Sequence, residues 1–255
     1  ALNSGGGLYN YIVSNQTLEL SNVTFDNCSA VNGGAIYSNI NAGGKLIIEN
    51  SCKLSQCKAT LGNGGGIFVY INFASQFEFE IIDTIIEYCE AKSDTSYDIP
   101  PTGYGGGIFL FGPGDYDPSS QRLDLKGMKI YNNSASSGGQ SLYVVMTKVE
   151  EWCKYGGEGE YVKGNYSDGI SNKNELQGIA KDQSSFNTLY PQEIQAQQNH
   201  LQYFWTSQIA SLISVGVILN VSNTDAPLQF SIKGRGMIQD KLCVKLIEIE
   251  SKTSV

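Results

Sequence analysis

The residues of this chain best suited to covalent chemistry are six cysteines: Cys28, Cys52, Cys57, Cys89, Cys153 and Cys243. An even number suits an oxidising compartment, and six thiols allow 15 pairings. Cys28, Cys57 and Cys89 fall at equivalent places in successive copies of a sequence repeat. On parallel strands they would stack about 4.8 Å apart, a spacing compatible with a disulfide and equally with a row of buried thiols acting as small hydrophobes. Cys52 takes an inward position five residues before Cys57. Cys153 and Cys243 lie outside the repeats and could bridge the two parts of the chain. A metal centre is disfavoured, because there is no C-x-x-C and the lone His200 sits in a polar Gln/Asn stretch.

The carboxylates form no catalytic pattern. Glu78 and Glu80 alternate with Phe77 and Phe79, which makes them the solvent face of one strand rather than two walls of a cleft. Asp115 and Asp117 sit on a Gly-Pro turn without the basic residue that lyase chemistry needs, and Glu150, Glu151, Glu158 and Glu160 read as loop charge with at most weak affinity for calcium. G-x-S-x-G and H-E-x-x-H are absent, and the glycine runs lack the helix and lysine of a phosphate loop. Asn223-Thr224-Asp225 is a three-letter match to polygalacturonase-type enzymes without their other motifs. No enzyme is expected and no cofactor is implied.

The element that positions these residues is a repeat. GGGLY at residues 5–9, GGAIY at 33–37, GGGIF at 64–68, GGGIF at 105–109 and GQSLY at 139–143 share one plan. Their apolar residues Leu8, Ile36, Ile67, Ile108 and Leu142 are 28, 31, 41 and 34 residues apart, so a fixed unit carries loops of variable length. Pairs of alternating apolar residues separate the phrases: Leu18-x-Leu20 and Val23-x-Phe25, Phe79-x-Ile81 and Thr84-x-Ile86, Leu123-x-Leu125 and Met128-x-Ile130. The copy with Cys52-x-Leu54 fits after a one-residue shift near residues 46–48. Such short period-2 runs are strands, about three to a unit. The fold class predicted is all-β, a right-handed parallel β-helix over residues 1–149. Leu8, Ile36, Ile67, Ile108 and Leu142 form an inward ladder, and Tyr9, Tyr37, Phe68, Phe109 and Tyr143 form an outward stripe, which could stack on sugars or lie beneath loops 72–77 and 91–104 or the Tyr203–Trp205 segment.

With turns such as Phe25-Asp26-Asn27-Cys28 and Ile130-Tyr131-Asn132-Asn133, the GGA(I/L)-type phrases resemble the repeats of chlamydial polymorphic outer-membrane proteins and related surface β-helix proteins of bacteria and protists. The family's F-x-x-N asparagine survives as Asn133, whereas cysteine takes its place at Cys28, Cys57 and Cys89. The resemblance implies a secreted adhesin or surface-coat role. It covers little more than half of the chain, and the membrane-barrel domain of the bacterial members is not matched.

Beyond the repeats, residues 150–214 read as an irregular, partly helical capping segment, and residues 215–255 as a small antiparallel β module, Ig-like and incomplete. The chain has 255 residues, a net charge of −8 and only 16% charged residues, with Arg122 and Arg235 its only arginines. It offers no basic face for nucleic acid and no run long enough to insert in a membrane. Six N-x-Ser/Thr sequons, at Asn15, Asn22, Asn27, Asn132, Asn165 and Asn220, suit a secreted glycoprotein. Only four residues precede the first repeat phrase, which predicts an open end completed by upstream chain or by another molecule. The function expected is an extracellular structural or adhesive protein that self-associates head to tail and meets glycans or cell-surface ligands. The alternative is a carbohydrate-binding or polysaccharide-cleaving β-helix with a pectate-lyase-like fold.

Overall fold

A computed structural model describes residues 2–157, 159–163 and 168–206. Asn165, Asn220, Cys243, the acidic Glu158, the Asn223-Thr224-Asp225 match and the proposed module at 215–255 lie outside the described residues. The chain winds as a parallel β-solenoid of five coils. One row consists of β1 (Leu2–Ser4), β5 (Ser29–Asn32), β9 (Lys58–Ala59), β13 (Glu90–Ala91) and β17 (Ser134–Ala135). The glycine phrases feed the second row: β2 (Leu8–Ile12), β6 (Ile36–Ile40), β10 (Ile67–Ile71), β14 (Ile108–Phe111) and β18 (Leu142–Val145). The third row is β3 (Thr17–Ser21), β7 (Lys45–Glu49), β11 (Glu78–Ile81) and β15 (Leu123–Asp124); the fourth is β4 (Thr24–Asp26), β8 (Lys53–Ser55), β12 (Thr84–Glu87) and β16 (Met128–Tyr131).

A full coil therefore holds four strands rather than three. The additional one, as short as Lys58–Ala59, lies between the cysteine and the glycine phrase and is too brief to show period 2. The second row continues past residue 149, because β19 (Leu176–Ile179) pairs in parallel with β18. β20 (Asn199–His200) then pairs antiparallel with β19 and leaves His200 exposed.

The inward ladder is in register from end to end, Leu8 opposite Ile36, Ile36 opposite Ile67, Ile67 opposite Ile108 and Ile108 opposite Leu142. Its last four members are fully buried. The first glycine of every phrase has positive φ, from 61° at Gly33 to 69° at Gly64. There a β-carbon is strained. The second glycine is required for another reason. A Cβ on Gly34 would collide with the carbonyl of Gly65, and one on Gly65 with that of Gly106, so adjacent coils approach too closely for any side chain. This file ends at Gln140, whose side chain is exposed and hydrogen-bonds the backbone of Ala135.

The one-residue shift has a local cause. The bend between β7 and β8 uses two left-handed residues, Asn50 and Ser51, where the coils on either side manage with Asn22 or Asp83 alone. Above the last coil, helix α1 (Val149–Lys154) buries Val149, Trp152 and Cys153 against the interior, and the Trp152 indole donates to the Leu123 carbonyl at 3.1 Å. Three more helices follow: α2 (Gln183–Phe186), α3 (Pro191–Gln197) and α4 (Leu201–Thr206). Leu201, Phe204 and Trp205 of α4 join the same core, whereas Tyr203 is exposed. Among the described residues no helix is long and apolar enough to cross a membrane.

Candidate functional site

The outer face of the second row carries the aromatic stripe. Alternation along the strands turns Tyr9, Tyr37, Phe68, Phe109 and Tyr143 away from the core, and the register sets each ring over the next. Tyr9 and Tyr37 stack at 5.2 Å, Tyr37 and Phe68 at 4.7 Å, and Phe109 and Tyr143 at 6.1 Å between centroids. A second outward file two residues on contains Tyr11, Tyr70 and Phe111, and Tyr70 meets Phe111 edge-on at 5.6 Å. The sequence reading missed this file, although the period of two that placed Tyr9 outward places Tyr11 there as well.

Exposure along the stripe is graded. Tyr9 is 60% and Tyr11 58% exposed, whereas Phe109 is 1% exposed and Tyr143 is closed off altogether. Tyr104, from the loop at 91–104, and Phe186 of α2 pack on Tyr143 at 4.6 and 6.1 Å, and Ile194 of α3 joins the same cluster. The 91–104 loop thus covers one end of the stripe, as one of the two readings expected, together with α2 and α3. The 72–77 loop instead packs Phe73 and Phe77 with Tyr116 against the main core, and the segment ending at Trp205 closes the coil interior. Burial pushes the Tyr104 hydroxyl up to about 12 and raises Tyr37 in the same direction, further lifted by Tyr9 and Tyr70 beside it.

The thiols also form a file. Asp26 pairs with Ser55 and Ser55 with Glu87, while Ser29 pairs with Lys58 and Lys58 with Glu90, so Cys28, Cys57 and Cys89 lie side by side on consecutive coils. All five described cysteines are free thiols, Cys28 half-buried and the others buried. Each thiol of the file is directed at the carbonyl two residues before it, Cys28 at Asp26 (3.7 Å), Cys57 at Ser55 (3.3 Å) and Cys89 at Glu87 (3.4 Å). The neighbouring Cys89 and Cys28 thiols outweigh burial and draw Cys57 down to about 7. The Cys89 thiol moves the opposite way, held protonated by its Cys57 neighbour and by burial. Cys52 stands apart, accepting from Val23 N at 3.3 Å and donating to Leu20 O at 3.2 Å. Burial pushes the Cys153 thiol up. Asn133 stands at the next place in the file, is buried, accepts from Cys89 N at 2.9 Å and donates to Ile86 O at 3.0 Å.

Immediately before the thiol file, Asn27, Gln56, Tyr88 and Asn132 all adopt left-handed backbone with φ between 53° and 55°. The sequons at Asn27 and Asn132 therefore share one flank. Asn15 and Asn22 are also left-handed, and all four asparagines are exposed.

The acidic residues are engaged in local pairing. Glu78 pairs with Lys45 of the preceding coil, Glu87 takes Lys53 at 2.7 Å and the Tyr131 hydroxyl at 2.6 Å, and Asp117 accepts from Ser119 N at 3.0 Å. The Lys53 ammonium, with Tyr131, holds the Glu87 carboxyl below its usual range. Glu150 and Glu151 pair with Lys154 and Lys148 on α1. No group of three or more His, Cys, Asp or Glu among the described residues is arranged to hold a metal ion. Comparison with protein-family models, curated proteins and solved structures finds no match to this chain.

Proposed function

We propose that this chain is a structural and adhesive protein of an extracellular surface, glycosylated on its flanks and joined to further copies head to tail. The observation that carries the reading is the open part of the aromatic stripe. Tyr9 and Tyr37 present stacked rings in a fixed row on a regular sheet, with exposed Tyr11 in the adjoining file, and the stacked pair costs little entropy to dock because its rings are already ordered. The exposed sequon asparagines on tight bends add support, because left-handed turns present the amide to solvent. Head-to-tail joining is the assembly open to a solenoid with unlike ends, and a heterologous contact of that kind propagates.

A carbohydrate ligand is the second reading favoured by the stripe, because tyrosine faces stack on sugar rings. Attachment of the full chain to polysaccharide-coated and protein-coated surfaces tests both. The variant Tyr9→Ala/Tyr11→Ala is expected to lose attachment at least tenfold without unfolding. Unchanged attachment would remove the stripe from the function, and shortening of the polysaccharide would turn the reading towards an enzyme.

A further inference from the structure

We propose that Cys28 and Cys57 form an oxidisable dithiol that closes into a disulfide between the first two coils when a low-molecular-weight disulfide reaches Cys28. This goes beyond the adhesive reading and does not depend on it. The two residues sit opposite each other on neighbouring parallel coils, bracketed by the pairs Asp26–Ser55 and Ser29–Lys58. That places their Cα atoms about 4.8 Å apart, inside the range of Cα separations that disulfides span.

Access selects the partner. Cys57 lies between two thiols and can join only one. Cys89 is buried and its amide is held by Asn133. Cys28 is half-buried and opens onto a hollow of about 340 Å³, walled by Asn27, Gln56, Lys58, Tyr88 and Glu90.

The exchange balances in two steps. Burial and the neighbouring Cys57 raise the Cys28 thiol, so its thiolate is the minor form; once formed by loss of the proton to solvent, it attacks one sulfur of the small disulfide, a Cys28 mixed disulfide forms and one small thiolate leaves. The Cys57 thiolate then attacks the Cys28 sulfur, the mixed disulfide breaks and the second small thiolate leaves. Both leaving groups take up the released protons, the two cysteines are oxidised and the small disulfide is reduced to two thiols. The low thiol pKa of Cys57 suits it to the second attack at neutral pH. Closure ties the first coil, whose interior residues are the least covered, to the second.

The test uses the reduced, folded full chain with oxidised glutathione as the probe, followed by acid quenching and peptide mapping by mass spectrometry. The expected result is loss of two thiols, loss of two hydrogens from the chain and a crosslinked peptide containing Cys28 and Cys57. Cys28→Ser should abolish the link and Cys89→Ser should leave it intact, so the proposal survives the misfolding of either variant alone. A stable glutathione adduct on Cys28, a link between Cys57 and Cys89, or no reaction in the folded chain would overturn it.

Discussion

Coils one and two carry the same outward aromatic file as coils four and five, yet Tyr9 is a surface residue and Tyr143 a core residue. The difference arises outside the repeat. Around coils four and five, Tyr104 and the helices that supply Phe186 and Ile194 turn the face of the sheet into a second apolar cluster. Nothing among the described residues performs this role over Tyr9 and Tyr11. One repeat unit can thus supply either an exposed face or a second core, and the choice is made by what the intervening loops bring to it.

The most severe way to break the comparison is to remove a covered ring. Phe109→Ala should cost about 3–5 kcal/mol, the usual range for an aromatic deleted from a packed core, read as a shift of the urea midpoint. A cost below about 1 kcal/mol would mean that the cover over the later coils is loose.

The ion pair of Lys163 with Asp168, at 2.7 Å and almost wholly buried, lies at the same covered end, with Lys163 also donating to the Met128 carbonyl. Burial raises the Asp168 carboxyl, but the Lys163 ammonium and the N–H groups of Ser171 and Ile170 outweigh it and hold the group well below the usual carboxylate range. Its contribution is therefore complete above about pH 4, where the unfolded carboxyl ionises, and is lost as pH falls through the lower folded value. Asp168→Asn should cost about 3–5 kcal/mol at pH 7 by removing the carboxylate paired with a buried ammonium. It should also flatten the acid dependence of the urea midpoint; an unchanged acid profile would show that other carboxylates govern it.

A smaller effect is expected at the end of the thiol file. Asn133→Ala leaves the Cys89 amide and the Ile86 carbonyl without their side-chain partner and should cost about 1–3 kcal/mol. Amide exchange at Cys89 should quicken more than at Cys57. The smallest change is Tyr9→Ala, which forfeits one stacked pair and should cost about 0.5–1.5 kcal/mol. A loss as large as that at Phe109 would abolish the distinction between the open and covered coils.

The repeat was legible because it is imposed by backbone geometry. Positive φ at the first glycine and collision of coils at the second leave glycine as the residue that fits, so GG marks each bend. Inward ladder, outward stripe and thiol file all follow once these bends set the register. The fourth strand of each coil was invisible because two residues such as Lys58–Ala59 carry no period. The cover over the stripe was hidden for a related reason. Phe186 and Ile194 are single apolar residues in polar helices of four and seven residues, too short for a helical pattern to declare a buried face. Continuation into β19 escaped notice because Leu176-Gln177-Gly178-Ile179 joins the second row without a glycine phrase before it.

Electron microscopy of the full chain, purified from its native source without added ligand, tests the proposed surface assembly most directly. Filaments whose axial repeat matches one chain are expected from a solenoid that adds head to tail. Dispersed single particles at every concentration would contradict head-to-tail assembly.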